Sequence, residues 1–275
     1  TGQVGKPGLG AYVTPQQIAT GTWTAVAAGS WSSYAIHSDG TLWAWGDNQF
    51  NQVGFGTEDR LEPEQIGVDT NWKSVSAGDK HAVAIRTDGT LWAWGNNWEG
   101  QLGDAGGETR RFGPTQIGTA ASWRSVAAGW EYNVAVRTDG TLWAWGNNVS
   151  GQLGDGTTTN RFEPTQIGTA TTWQDVDGGD FHTVATRTDG TLWSWGRNSN
   201  SQLGLGTYSD LYVPTQVGTD TNWKLARAGT ASSMGIRTDG TLWGWGENWD
   251  GQLGLGAVTS VGVPTQVGNR PGWSD

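Results

Sequence analysis

The chain has 275 residues, among them 45 Gly and 20 Trp but only 8 Pro, and 15% of its residues are charged. Abundant Gly without a Gly-x-y period excludes collagen, and this much Trp excludes a disordered chain, which lacks large apolar side chains. A formal charge of −10 disfavours a nucleic-acid surface, which needs clustered Lys and Arg, and the absence of Cys removes disulfides, thiol chemistry and thiolate metal sites.

In chain order, residues 1–22 read as a partial repeat, with Gly2-Gln3-Val4-Gly5 followed by Pro15-Gln16-Gln17-Ile18. Five complete repeats follow, over 23–72, 73–123, 124–173, 174–223 and 224–273. Each opens with Trp-x-x-Val-x-Ala-Gly, a strand exemplified by Trp123 to Gly129, although the fifth copy has Leu225 and Ala226 near the Val position. A short variable loop leads to a second strand, as in Val134-Ala135-Val136. Asp-Gly then predicts a tight type I′ hairpin turn, in which both central residues take positive φ. The third strand is Leu-Trp-x-Trp-Gly, with copies beginning at Leu42, Leu91, Leu142, Leu192 and Leu242. A long loop carrying Gln-Leu-Gly precedes a fourth strand, Pro-Thr-Gln-Ile/Val-Gly, as at Pro114 to Gly118.

Four short antiparallel strands with Gly-rich corners describe a propeller blade, so the fold class is all-β: a β-propeller of five complete repeats in one domain, 1–275, plus one spare loop and fourth strand. Alternation along the third strand supports this. Trp143 and Trp145 share one face, Leu142, Ala144 and Gly146 the other, and neither face is polar. Such a sheet suits packing between two neighbours, a bulky face against the next small one. Each buried Trp removes roughly 150–250 Å² from water, so the tryptophans read as inter-blade core.

Trp-x-x-Val-x-Ala-Gly, x-x-His-x-x-Ala-Ile, Asp-Gly-x-Leu-x-x-Trp-Gly-x-Asn-x-x-Gly-Gln-Leu-Gly and Pro-x-x-Ile together resemble the regulator of chromosome condensation repeat, over essentially the whole chain. The resemblance implies a propeller, seven-bladed in the best-known members. It implies no single function, because members include a nucleotide-exchange factor, an ultraviolet-B sensor, β-lactamase inhibitors and scaffolds. Near-identical repeats without a wedge-like insertion disfavour exchange. No Trp–Arg array at one surface is apparent from the sequence, which disfavours ultraviolet sensing.

The chain begins and ends at the same phase of the repeat, with five Asp-Gly hairpins against six Pro-x-Gln-Ile/Val segments. It is expected to be a piece of a longer array, with a redundant five-blade closure or completion by another molecule as the other readings. Completion would use Pro15, Gln17 and Ile18 or Pro264, Gln266 and Val267 as assembly strands.

Variation between repeats concentrates in the loop joining the first and second strands, which predicts a composite partner-binding face of Trp31, Lys80, Trp130, Glu131, Tyr132 and Phe181. Trp98 and Trp249, before Gln-Leu-Gly, are candidates for a second face. His81 and His182 read as structural, and no cofactor or metal is expected. Arg86, Arg137, Arg187 and Arg237 read as supports for the turn or for Trp, and His37 stands in their place in the first repeat. Gly154-Asp155-Gly156-Thr157 lacks the spaced carboxylates of a calcium loop. Asn148-Val149-Ser150 matches a glycosylation acceptor by pattern only. No catalytic triad, phosphate loop or paired-carboxylate constellation recurs, so an enzyme is not expected. The function expected is a non-catalytic propeller at the cell surface of a prokaryote, or outside it, binding a protein or glycan. It has no nucleic-acid partner and no membrane insertion, and the alternative is a self-assembling homo-oligomeric subunit.

Overall fold

In the computed structural model, which describes residues 2–6, 14–256 and 259–274, the five repeats form five antiparallel sheets of four consecutive strands. Blade 1 holds β1 (Trp23–Ala28), β2 (Ser32–His37), β3 (Leu42–Gly46) and β4 (Arg60–Gln65). Blade 2 holds β5 (Trp72–Ala77), β6 (His81–Arg86), β7 (Leu91–Asn96) and β8 (Arg110–Gln116). Blade 3 holds β9 (Trp123–Ala128), β10 (Tyr132–Arg137), β11 (Leu142–Gly146) and β12 (Arg161–Gln166). Blade 4 holds β13 (Trp173–Gly178), β14 (His182–Arg187), β15 (Leu192–Gly196) and β16 (Leu211–Gln216). Blade 5 holds β17 (Trp223–Ala228), β18 (Ser232–Arg237), β19 (Leu242–Gly246) and β20 (Val261–Gln266). The first strands line the central channel and the fourth strands form the rim. Pro is tolerated in the fourth strands because their outer edge donates to no ladder. These strands start earlier than the Pro-Thr-Gln phrase suggests and end at its Gln.

The hairpin between second and third strands is not the expected type I′. Gly40 donates to the His37 carbonyl (2.9 Å) and His37 to the Thr41 carbonyl (3.0 Å). Gly40 alone takes positive φ, at 83°, with Gly89, Gly140, Gly190 and Gly240 alike. Asp39 is instead engaged side-on, its Oδ1 accepting from Thr41 N (3.0 Å) and Thr41 Oγ1 (2.7 Å). This is a type I turn closed by one left-handed Gly. The Thr41 hydroxyl in turn accepts from Trp43 Nε1 (2.9 Å), so turn and strand are tied together, as in every repeat.

The core consists of four wedges between blades. In the best filled, Val134, Val136, Leu142 and Ala144 of blade 3 pack on Trp173 and Trp195 of blade 4. Blade 3 offers its own Trp123 and Trp145 to Leu91 and Ala93 of blade 2. Small face against bulky face is the packing that the third strand's alternation predicts. Each joint is also pinned by a carbonyl. The Nε1 groups of Trp94, Trp145, Trp195 and Trp245 donate to the carbonyls of Gln52, Gln101, Gln152 and Gln202 on the preceding blade, at 2.8–3.1 Å.

At the channel, Gly29, Gly78, Gly129 and Gly179 each face the carbonyl of the corresponding Gly one blade further on. A Cβ on Gly78 would lie 2.5 Å from the Gly129 oxygen. Among the described residues, Gly229 meets only Ser232 of its own blade, and no blade 5–blade 1 junction matches the strand packing of the four internal joints. The blades therefore form an arc that is open between blade 5 and blade 1. Val26, on the leading face of blade 1, is 77% exposed, while Ala226 in its register is buried.

Residues 2–6 dock on blade 1 as a Gln-Leu-Gly loop would, with the Gln3 carbonyl accepting from Trp45 Nε1 (2.9 Å) and Ser33 Oγ (3.0 Å). Residues 15–18 are not a strand, contrary to expectation. A fourth strand is held only by its third, and residues 15–18 have no such neighbour; Ile18 and Pro15 instead border Trp45. Pro264, Gln266 and Val267 belong to blade 5's own sheet, Gln266 pairing with Trp243 and Val267 N donating to Leu242 (2.8 Å).

Candidate functional site

An up-and-down blade brings its first and third loops to one end and its Asp-Gly turn to the other. The third loop is rigid. Asn97 Oδ1 accepts from Leu102 N (2.9 Å), and Gln101 Oε1 from Glu99 N (2.9 Å). The Asn bond recurs in all five repeats. These side chains free the loop tips for display. Asp155 is engaged likewise, by Thr157 N (2.9 Å) and by Arg161 Nε (2.7 Å), so its carboxylate serves the loop. Asn148 is buried and donates to Asp155 (3.1 Å) and to the Thr159 carbonyl (3.0 Å), which leaves the glycosylation pattern inaccessible.

At the mouth, the residue after the Gly that ends each first strand phrase faces the channel: Ser30, Asp79, Trp130, Asp180 and Thr230. The next residue stands outside it: Trp31, Lys80, Glu131, Phe181 and Ala231. The channel is a funnel of about 400 Å³ with Gly and Ala walls. Trp130 meets Phe181 edge-on, with centroids 4.9 Å apart. Phe50, from the third loop of blade 1, meets Trp98 edge-on (5.6 Å) and lies under Lys80 Nζ (4.9 Å). Trp98 therefore shares the end that carries Lys80 rather than forming a second face. Phe50 was not a sequence candidate. Its signal is an aromatic where the other repeats carry Glu99, Ser150, Asn200 and Asp250. Trp249 is 65% exposed on blade 5, its Nε1 donating to Ser260 Oγ (2.9 Å), apart from the other aromatics.

Tyr132 does not belong to this face. It is fully buried, its hydroxyl donating to the His182 carbonyl (2.5 Å), because it occupies the inter-blade register of His81 and His182. His81 Nε2 pairs with Asn133 Oδ1 (3.0 Å) and His182 Nε2 with Ser233 Oγ (2.9 Å). Burial pushes both imidazoles down to about 4, so they are neutral struts. Among the described residues, no three His, Asp or Glu converge as metal ligands.

The carboxylates of the mouth are uneasy. Asp180 is half-buried and has no hydrogen-bond or ion-pair partner among the described residues. Desolvation, and then the charge of Asp79, push it up to about 6. Glu131 is raised too, by burial and then by Glu99. Deeper in the channel, burial pushes Asp177 up to about 6, although its Oδ2 accepts from Ala228 N across the blade joint (2.9 Å).

The opposite end carries arginines sandwiched by Trp. Arg137 lies 3.7 Å from the Trp143 ring and 4.4 Å from Trp123, and Arg86, Arg187 and Arg237 repeat this. These Trp–Arg stacks, which the sequence does not make apparent, each lie within one blade. His37 takes the same place, edge-on to Trp23 (5.2 Å) and 3.1 Å from Asp39.

Among known proteins, the chain is similar to the ultraviolet-B receptor UVR8 of Arabidopsis thaliana, 32% identical over 138 residues, 48% of this chain and 31% of that protein. The crystal structure of human WBSCR16 superposes with a TM-score of 0.80 at 23% identity, over 95% of this chain and 72% of that one. Prp20p of Saccharomyces cerevisiae, whose structure was described with its binding to Gsp1p and histones, gives 0.78 at 22%, over 89% and 63%. At these identities the structural likeness speaks for the fold, and the chain spans less than two thirds of UVR8 and of Prp20p. The Regulator of chromosome condensation (RCC1) repeat matches residues 39–85, 88–136, 139–186, 189–236 and 239–273, and a second form of it matches 23–52, 72–101, 123–152 and 173–202. Five matched units over most of its length mean that the chain belongs to the RCC1 repeat family.

Proposed function

We propose that this propeller is a non-catalytic binding module that takes a protein or glycan partner at the mouth formed by its first and third loops. One observation carries the reading: Trp31, Trp98 and Trp130 are 49%, 60% and 37% exposed, on loops fixed by internal hydrogen bonds, where core tryptophans are buried. Rigid aromatics of this type anchor partners at low entropic cost. The binding to Gsp1p and histones described for Prp20p supports a protein partner. The buried histidines are struts and the Asp carboxylates of the hairpins are engaged by Thr, which supports a non-catalytic reading of those groups. The Trp–Arg stacks lie inside single blades, which favours a structural role for them over the light sensing in UVR8's name. A location at or outside the surface of a prokaryotic cell rests on the Cys-free composition and near-identical repeats, and protease shaving of intact source cells tests it.

The Trp31→Ala/Trp98→Ala/Trp130→Ala variant tests the binding face on peptide and glycan arrays. With an unchanged melting temperature, it should lose the spots that the parent protein binds. Retention of those spots would sink the proposal.

A second reading, self-assembly, is favoured by the trailing face of blade 5. The Gln252 carbonyl receives no Trp Nε1 among the described residues, and a Cβ on Gly251 would meet open space, where one on the equivalent Gly151 would abut Tyr212 of the next blade. A further blade, from the same polypeptide or from a second copy, fits this seat. Light scattering tests the second copy, which a concentration-independent monomer would exclude.

A further inference from the structure

The mouth pairs exposed aromatic rings with acid that is only partly neutralised. Asp79, Glu131 and Asp180 stand around Trp130 and Phe181, and Asp177 lies deeper on the channel wall. Three cations stand among them, and all are engaged: Lys80 Nζ lies 3.3 Å from Asp79 and over Phe50, Arg197 donates to Ser199 (2.9 Å) and borders Phe181, and Arg227, beside Asp177, donates to Asp175 (2.6 Å). Asp180 has no counter-ion among the described residues, and the charge nearest in effect is another carboxylate, Asp79. A half-buried carboxylate held against like charge is relieved by an incoming cation, and aromatic faces attract the same cation through their quadrupoles. The funnel's 400 Å³ has room for an extended side chain between Gly and Ala walls.

We propose that the partner segment docking at this mouth is a cationic peptide, which places an Arg or Lys side chain between Asp79 and Asp180 and lays its backbone across Trp130 and Phe181. This rests on the loop-face reading above and adds the chemistry of the partner. The nearby acids Glu99 and Glu131 extend the negative field toward Trp98, so a second basic residue beyond the first fits the exposed Trp98 ring. Complementary charge of this kind sets partner choice and encounter rate more than affinity.

The test uses three fluorescein-labelled dodecapeptides of one length: one with four Arg among Gly and Ser, one with Glu in place of Arg, and one with Gln. Anisotropy reads binding, and the indole Nε1–H resonances of Trp130 and Trp98 report its place. The Arg peptide should bind and shift those resonances. Asp180→Lys should weaken it about tenfold, whereas Glu62→Lys, the same charge change on the exposed rim, should leave it within about twofold. Equal weakening by Glu62→Lys overturns the proposal, since net charge alone would then act. Binding of the Gln or Glu peptide at the same tryptophans as tightly as the Arg peptide overturns the cationic chemistry and keeps the loop-face reading. If none of the three shifts Trp130 or Trp98, the cationic proposal falls, and the array experiment on the triple Trp variant then decides the loop-face reading separately.

Discussion

Asp177 shows how a single side chain near the channel couples cohesion to pH. Its carboxylate accepts the Ala228 amide across the blade 4–blade 5 joint, yet burial raises its pKa to about 6. The native state then holds this proton up to a higher pH than the unfolded chain does. The contribution to stability is full below the unfolded value near 3.8 and is lost as pH rises through 6. His81 and His182, lowered to about 4, act oppositely: their contribution is full above 6.5 and is lost as pH falls toward 4. Between 4 and 6 the two effects oppose each other, Asp177 offsetting part of the rise with pH that the two histidines give. Asp177→Asn keeps an acceptor for Ala228 and removes the buried charge. It should be more stable than the parent at pH 7.5 by about 1–2 kcal/mol, discounted for partial exposure. Urea titrations should show that advantage shrinking to nothing near pH 4. An advantage independent of pH would show that the charge at Asp177 is not the cause.

At the scale of the blade joint, the Gln carbonyl of each third loop that meets a following blade collects two donors. Gln152 receives Trp195 Nε1 and Thr183 Oγ1 (2.8 Å), and Gln202 receives Trp245 Nε1 and Ser233 Oγ (2.9 Å). The second donor comes from one register position, occupied by Ser33, Asn133, Thr183 and Ser233. In blade 2 that position is Ala82, which has no donor, and the Tyr34 hydroxyl of blade 1 reaches the Gln52 carbonyl in its stead. Tyr34→Phe should therefore cost about 1–2 kcal/mol, the range for a lost buried hydrogen bond. Adding Ala82→Ser should recover part of it, because Ser233 makes that bond from the same register. Thermal denaturation of the two variants decides the matter, and absence of recovery would show that Tyr34 acts by packing alone. Such compensation explains what the sequence made legible and what it did not. Strands, their order and the Trp-against-Leu packing follow from periodicity within one repeat. The burial of Tyr132, the donor role of Tyr34 and the meeting of Phe50 with Trp98 depend on side chains one blade apart. The turn departs from the expected type I′ because Asp-Gly alone does not show that Thr engages the Asp carboxylate.

Across the whole molecule, adhesion between neighbours holds the array together, and each blade contacts mainly the ones beside it. Stability in such arrays is close to a sum of unit and joint terms, so a unit with one joint opens more easily than a unit with two. Blade 3 is packed on both faces, by Leu91 and Ala93 on one side and by Trp173 and Trp195 on the other. Blade 5 has Val184 and Leu192 against its Trp223 and Trp245, but Met234 and Leu242 on its trailing face are only partly covered. Blade 1 is intermediate, since residues 2–6 shield Trp45 while Val26 stays exposed. The mouth draws its aromatics and acids from blades 1 to 4, so the cohesive part of the arc carries the candidate site. Native-state hydrogen exchange should rank the opening free energies accordingly: highest for β10 and β11, lower for β2 and β3, and lowest for β18 and β19. Filling the seat at Gln252, by a further blade or by a second copy, should raise β18 and β19 toward β10 without changing the order elsewhere. Uniform protection across all five blades would mean instead that the arc unfolds as one unit and that its open joint costs nothing.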